Sequence, residues 1–331
     1  MPPRGADDEE ARRLSNLAPP PGVRRVGTSP PLRSLLFVPG DSERKQAKAV
    51  ASAADVLILD LEDSVAPAHL SAARGQVCEL LQARPDRSAQ QLWVRANALA
   101  SGLLLEDLTG VFPGSPDGIV LPKASSAAEV CEVSHYLAAL EARDGRQAGS
   151  TRLIVIATET AQALLRLGEY SRPPGLSPPT LARLAGLTWG SEDLSAALGI
   201  THKNDRQGSL TFTFQLARSM CVLTAAAIGV QAIDGVFLDY RDLEGLKRDI
   251  ESARRDGFTG KLAIHPDQIE AINMAFLPAD TEVQWARRVV AAFSAEPEAG
   301  VLSVDGQMVD RPHLVQARRI LELAARPRRV I

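Results

Sequence analysis

The stretch SLLFVPGDSERKQAKAVASAADVLILDLED, residues 34–63, contains one whole unit of the architecture. Two apolar runs, Ser34 to Val38 and Val56 to Leu61, bracket a longer segment rich in Ala and Lys. Neither run alternates apolar with polar, so each predicts a strand buried on both faces, as in a parallel sheet covered by crossover helices. Each also stops abruptly, the first at Pro39-Gly40-Asp41 and the second at Glu62-Asp63. The segment between them predicts a helix: Asp41 or Ser42 is placed to cap it, and Glu43 early with Arg44, Lys45 and Lys48 later complements the macrodipole.

The same unit recurs down the chain, with apolar runs at Leu92 to Val94, Gly118 to Leu121, Leu153 to Ala157, Leu187 to Trp189, Gly235 to Leu238 and Leu262 to Ile264. Roughly eight strand-and-helix units over about 240 residues predict an α/β fold of the closed (β/α)8 kind, a TIM barrel, spanning residues 32–277. An open doubly wound sheet needs a glycine-rich phosphate loop after its first strand, and none follows Val38. Ser125 or Ser126, with Glu129 in the capping-box position, starts another helix. Residues 1–31, rich in Pro and charge, predict a disordered tail. Residues 278–331 predict a C-terminal helical extension, with helices at Trp285 to Phe293 and Pro312 to Ala325 and a turn at Gly306 to Val309. That extension is expected to lack a core of its own and to pack on the barrel or on a neighbouring subunit.

Composition narrows the function. The net charge is −3 and the basic residues are scattered along the chain, which argues against nucleic acid as a partner. No apolar run approaches the length of a membrane span, the N-terminal stretch lacks a signal-peptide core, and the three cysteines show no metal-ligand spacing. A cytoplasmic protein with reduced thiols is the expectation.

In such a barrel the residues just after each strand gather on one rim, where the chemistry takes place. Those positions are Pro39-Gly40-Asp41, Glu62-Asp63, Arg95 to Asn97, Lys123, Glu159, Glu192-Asp193, Asp239 and His265-Pro266. So many carboxylates, with no Cys or His cluster, point to a hard cation such as magnesium, which takes one or two carboxylates and leaves other positions to water and substrate. Glu159 and Asp193 form the natural pair, although each could instead serve as a helix-terminal charge or cap. Trp93 and Trp189 read as barrel packing, His202 to Arg206 as an exposed loop, and His135 and His313 as residues without chemistry.

The motifs RSLLFVPG (33–40), LILDLED (57–63), VRAN (94–97), LPK (121–123), TET (158–160), WGSEDL (189–194) and IHPDQI (264–269) resemble, in unbroken order, those of the citrate lyase β-subunit family, also called the HpcH/HpaI aldolase superfamily. GQMVDRP (306–312) is similar to the tail of its stand-alone citramalyl-CoA lyase and malate synthase-like branch. The resemblance implies a magnesium-dependent carbon–carbon lyase. It would cleave a 3-hydroxyacyl-CoA of the citramalyl- or malyl-CoA type into acetyl-CoA and a 2-oxo acid, or run the reverse condensation. A malyl-CoA thioesterase and a β-like subunit working with an acyl-carrier partner are the alternatives. By the same resemblance Glu159 and Asp193 hold the ion, Arg95 contacts substrate oxygens, and Asp310 is the acid–base residue, reaching another subunit's site in a homotrimer or a dimer of trimers. Phe37, Arg44, Lys48 and Arg74 are implied in binding the acyl-CoA thioester, with Ile264 and His265 bordering the cleft.

Overall fold

Strands that are apolar on both faces can be buried only between a packed interior and a surrounding layer of helices, and the computed structural model of the chain has that form. It describes residues 32–171 and 182–325; the expected N-terminal tail lies outside the described residues. The strands are β1 (Ser34–Pro39), β2 (Val56–Asp60), β3 (Gln91–Arg95), β4 (Gly118–Leu121), β5 (Arg152–Ile156), β6 (Leu184–Thr188), β7 (Gln231–Asp234) and β8 (Gly260–Ala263). They form a closed barrel in sequential order, parallel throughout, with β1 pairing both β2 and β8. The predicted barrel is therefore the fold observed.

Successive side chains of a strand point to opposite faces, so every second residue fills the barrel. Leu35, Val56, Ile58, Trp93, Val120, Ile154, Ile156, Ile233 and Leu262 make that interior cluster. Gly118 is needed there because a Cβ would lie 2.4 Å from the Trp93 ring.

Helices follow the strands: α1 (Glu43–Val50), α2 (Leu70–Ala83), α3 (Leu104–Val111), α4 (Ala127–Arg143), α5 (Ala161–Leu165), α6 (Ser191–Leu198), α7 (Phe212–Ile228), α8 (Leu243–Asp256) and α9 (Ile269–Ala275). Ser42 holds the N-cap position of α1 without a capping hydrogen bond, whereas Ser126 caps α4 by accepting from the Glu129 N–H. One strand is not where the apolar pattern puts it: the expected Gly235 to Leu238 is loop, and β7 lies four residues earlier. Gln231 and Asp234 make β7 look polar, yet both are buried, Gln231 against the Leu32 backbone and Asp234 against Lys261 outside the barrel wall.

The chain divides into two compact units, the first ending at Met274 and the second beginning at Ala275. The second unit contains α10 (Asp280–Ala295), a hairpin of β9 (Val301–Val304) and β10 (Gln307–Asp310), and α11 (Arg311–Ala324). The expected turn at Gly306 to Val309 is instead the two residues Asp305 and Gly306, both with positive φ as a type I′ hairpin turn requires. The hairpin supplies a second layer over the two helices. As a result this unit does hold a core, formed by Ala286, Val289, Phe293, Val304, Val309, Leu314 and Ala317, against the expectation that it could not.

Candidate active site

Asp60 and Arg95 end neighbouring strands in direct register, β2 against β3. Arg95 donates to both Asp60 carboxylate oxygens at 2.6 and 2.7 Å, a bidentate pair that fixes the guanidinium plane, and it lies 4.7 Å above the Phe37 ring centroid. Its remaining edge points to the rim, where Nη1 is 2.9 Å from Glu62 and 3.6 Å from Asp63. Burial pulls the Arg95 pKa down, but the bonds and charge of Asp60, Glu62 and Asp63 more than reverse this. The same burial acts on Asp60, and Arg95 with the Ser64 side chain and the Glu62 N–H leaves that carboxylate below its ordinary value.

The next strand, β4, is followed by Pro122 and Lys123. Lys123 has φ +52°, in the left-handed region that favours glycine. This backbone aims its N–H at Glu159 Oε2, 2.5 Å away, while Nζ reaches Glu62 at 2.7 Å, Asp63 at 3.2 Å and Asp193 at 3.3 Å. Burial lowers the ammonium's pKa, and these carboxylates raise it further than burial lowers it.

Glu159 follows β5 and is 2% exposed. Its carboxyl is pushed up to about 8, chiefly by burial; the Lys123 N–H opposes this and the charges of Asp193 and Glu62 add to it. Glu62 is likewise raised, mainly by burial, and its buried Oε2 makes no hydrogen bond despite the nearby Arg95. Neither member of the expected pair is a helix cap. Thr160 caps α5 by accepting from the Ala163 N–H, and Gly190 precedes α6, leaving Asp193 in its first turn. Glycine is needed at Gly190 because a Cβ would lie 2.7 Å from Glu159 Cγ. Gly190→Ala is therefore expected to displace Glu159 and lower kcat/KM by about 10²-fold with the fold retained, checked by turnover beside thermal unfolding.

The residues present suit a hard divalent ion. Among the described residues no three His, Cys, Asp or Glu side chains form a complete ligand set. An ion here would rest on the buried Glu159 carboxylate and on the part-exposed Asp193, completing its shell with water and substrate oxygens as magnesium does.

Comparison with known proteins identifies the family. The family model described as HpcH/HpaI aldolase/citrate lyase matches residues 33–266. The chain belongs to that family. A (3S)-malyl-CoA thioesterase of Cereibacter sphaeroides (strain KD131 / KCTC 12085) is 35% identical over 296 residues, covering 89% of this chain and 95% of that protein. The mitochondrial citramalyl-CoA lyase of Mus musculus is 34% identical over 299 residues, covering 89% and 86%. Among solved structures, CitE from Mycobacterium tuberculosis in complex with magnesium, acetoacetate and coenzyme A is 34% identical, with a TM-score of 0.70 and coverage of 89% and 98%.

The other residues that the family resemblance implied fall in different settings. Arg44 is exposed in the first turn of α1 at the rim, and Lys48 is exposed one turn further on. Arg74 is not brought to the rim as a free cation; it is engaged between helices by Asp107 at 2.8 Å and Glu106 at 2.7 Å. His265 stacks on Tyr240 with ring centroids 4.5 Å apart, and Ile264 beside it is 38% exposed. Asp310 opens α11 in the second unit, 2.5 Å from His313 Nδ1, which with the helix N-terminus holds its carboxylate below the ordinary value. Asp60, Glu62 and Lys123 complete the site; the rim positions read from sequence include Glu62 and Lys123 without an assigned role and leave Asp60 out. The sequence signal for Asp60 and Arg95 was an acid and a base at the ends of consecutive strands.

Proposed function

We propose that this family member is a magnesium-dependent carbon–carbon lyase acting on a 3-hydroxyacyl-CoA of the citramalyl- or malyl-CoA type. The observation that carries the reading is Glu159: a carboxylate buried at the mouth of a barrel, next to Asp193 and Glu62, in a fold whose relatives act on such thioesters. Glu159 and Asp193 are the proposed ion ligands. Held by them, the ion supplies Lewis acidity at the oxygen of the carbinol or keto carbon.

The bond change is a retro-Claisen cleavage. The substrate hydroxyl loses its proton, the electron pair of the bond between the carbinol carbon and the thioester α-carbon passes into the thioester as an enolate, and that carbon then takes up a proton. The products are acetyl-CoA and a 2-oxo acid. Arg95, clamped by Asp60 and turned to the rim, is suited to hold the substrate carboxylate or the developing oxyanion. Arg44 and Lys48, exposed beside the rim, suit the phosphates of coenzyme A, with Ile264 and His265, which follow the neighbouring strand β8, bordering the same cleft. Asp310 is our proposal for the proton carrier, contributed by another copy of the chain in a homotrimer on the strength of the family resemblance.

The malyl-CoA thioesterase relative favours a second reading, hydrolysis of the thioester. One assay separates the two. Purified protein with magnesium and citramalyl-CoA or malyl-CoA is expected to release acetyl-CoA with pyruvate or glyoxylate, and chelator is expected to abolish this. Free malate without a keto acid would establish the thioesterase, and no turnover of either substrate would refute both.

A further inference from the structure

Lys123 is wired to more of the acidic mouth than any single contact accounts for. Its N–H meets Glu159, its ammonium touches Glu62, Asp63 and Asp193, and the backbone takes a conformation that glycine would adopt with less strain. A lysine is thus kept where a relaxed turn calls for no side chain at all. We propose that Lys123 is a positioning residue that sets the affinity of the divalent-ion site: its main chain aims Glu159, and its ammonium opposes any cation that Asp193 binds.

This rests on the assignment of Glu159 and Asp193 as ligands. An ion ligated by Asp193 binds against a positive charge held 3.3 Å from the same carboxylate, so the protein alone holds the ion loosely. An anionic oxo acid arriving at the ion meets both positive charges, and ion and acid therefore strengthen each other's binding. Arg95 stands differently: its ion pairs are with Asp60, Glu62 and Asp63, whereas the Lys123 ammonium pairs with Asp193 itself.

The test is a titration of the chelator-stripped full chain with Mn2+, reading the free aqua ion by electron paramagnetic resonance, with and without pyruvate. Lys123→Gln is expected to lower the Mn2+ Kd about tenfold, a figure discounted for the partial exposure of the ammonium. Lys123→Gly, which relieves the positive φ and keeps the N–H to Glu159, is expected to shift it the same way, and Lys123→Arg to leave it near wild type. Pyruvate is expected to tighten Mn2+ more in wild type than in Lys123→Gln. An unchanged or raised Kd in both Lys123→Gln and Lys123→Gly would overturn the proposal while leaving the ligand assignment standing. Failure of the wild type to bind Mn2+ would overturn both.

Discussion

Glu159→Gln is expected to lower kcat/KM by on the order of 10³-fold or more, and yet to make the chelator-treated protein more stable. The loss of activity follows from replacing a charged ion ligand by a neutral amide of the same shape. The gain in stability follows from burial: the Glu159 carboxyl stands at about 8 in the fold against an ordinary 4.5. Between those values the folded protein binds a proton that the unfolded chain has released, so this group's contribution to stability declines as pH rises through the window and is lowest above about 8. Gln does not titrate, and its Oε1 can still accept from the Lys123 N–H. The advantage of the variant should be small near pH 5 and grow to on the order of a few kcal/mol at pH 8.5. In the wild type the ion needs the deprotonated carboxylate, so its affinity should rise with pH up to about 8 and its binding below that should release a proton. Urea unfolding in chelator at the two pH values, beside turnover at saturating magnesium, checks both halves. Equal stability differences at pH 5 and 8.5 would refute the buried-charge account, and undiminished turnover would remove Glu159 from the ion site.

The barrel was legible because seven of its strands carry apolar residues on both faces, and that pattern has no other ready explanation. Val56 to Asp60 is buried at every position. The seventh strand was missed because the pattern assumes that what lies outside the barrel wall is apolar. Behind β7 it is not: Asp234 points away from the interior into a cluster of charges. A local signal did mark the strand, since Gly229 with φ +72° ends α7 just before it. The proposed ion-ligand pair, Glu159 and Asp193, could be named from its place after β5 and β6, and the family resemblance implied the roles. Lys123 was harder to see, because its importance comes from a positive φ and from contacts to three other strand ends, and neither is written in the identity of the residue. The hairpin of the second unit was half visible: Asp305-Gly306 is a strong hairpin turn, but its flanking strands expose Val301 and Met308 and lack clean alternation.

The cluster that hid β7 carries the largest expected effect on stability. Asp234 is 1% exposed and receives three donors, Lys261 Nζ at 2.6 Å, Trp189 Nε1 at 2.7 Å and Arg218 Nε at 3.0 Å. Lys261 is fully buried on β8, with Asp249 2.6 Å away as its second partner, and Arg218 lies against the Phe258 ring at 4.9 Å. Burial alone would raise the Asp234 carboxyl and lower the Lys261 ammonium, but their mutual attraction, with help from Arg218 and Asp249, reverses both shifts. With the Asp234 pKa depressed, this support is present above the ordinary value of 3.8 and is lost as pH falls below it. Asp234→Ala would leave two buried cations sharing only the partly exposed Asp249 and Asp256, and should destabilise the protein by about 3–5 kcal/mol. Removing a second charge should recover part of that, so Asp234→Ala with Lys261→Met is expected to lose less than the two single changes added together. The effect should also reach the rim. The Trp189 indole donates to Asp234, a Cβ on Gly235 would meet Trp189, and the residue after Trp189 is the glycine against which Glu159 packs. Even variants that remain folded should therefore hold the divalent ion less tightly. Urea unfolding of the two singles and the double at pH 7 measures the coupling; losses that simply add would show that the cluster is a set of independent contacts and not the brace that the geometry implies.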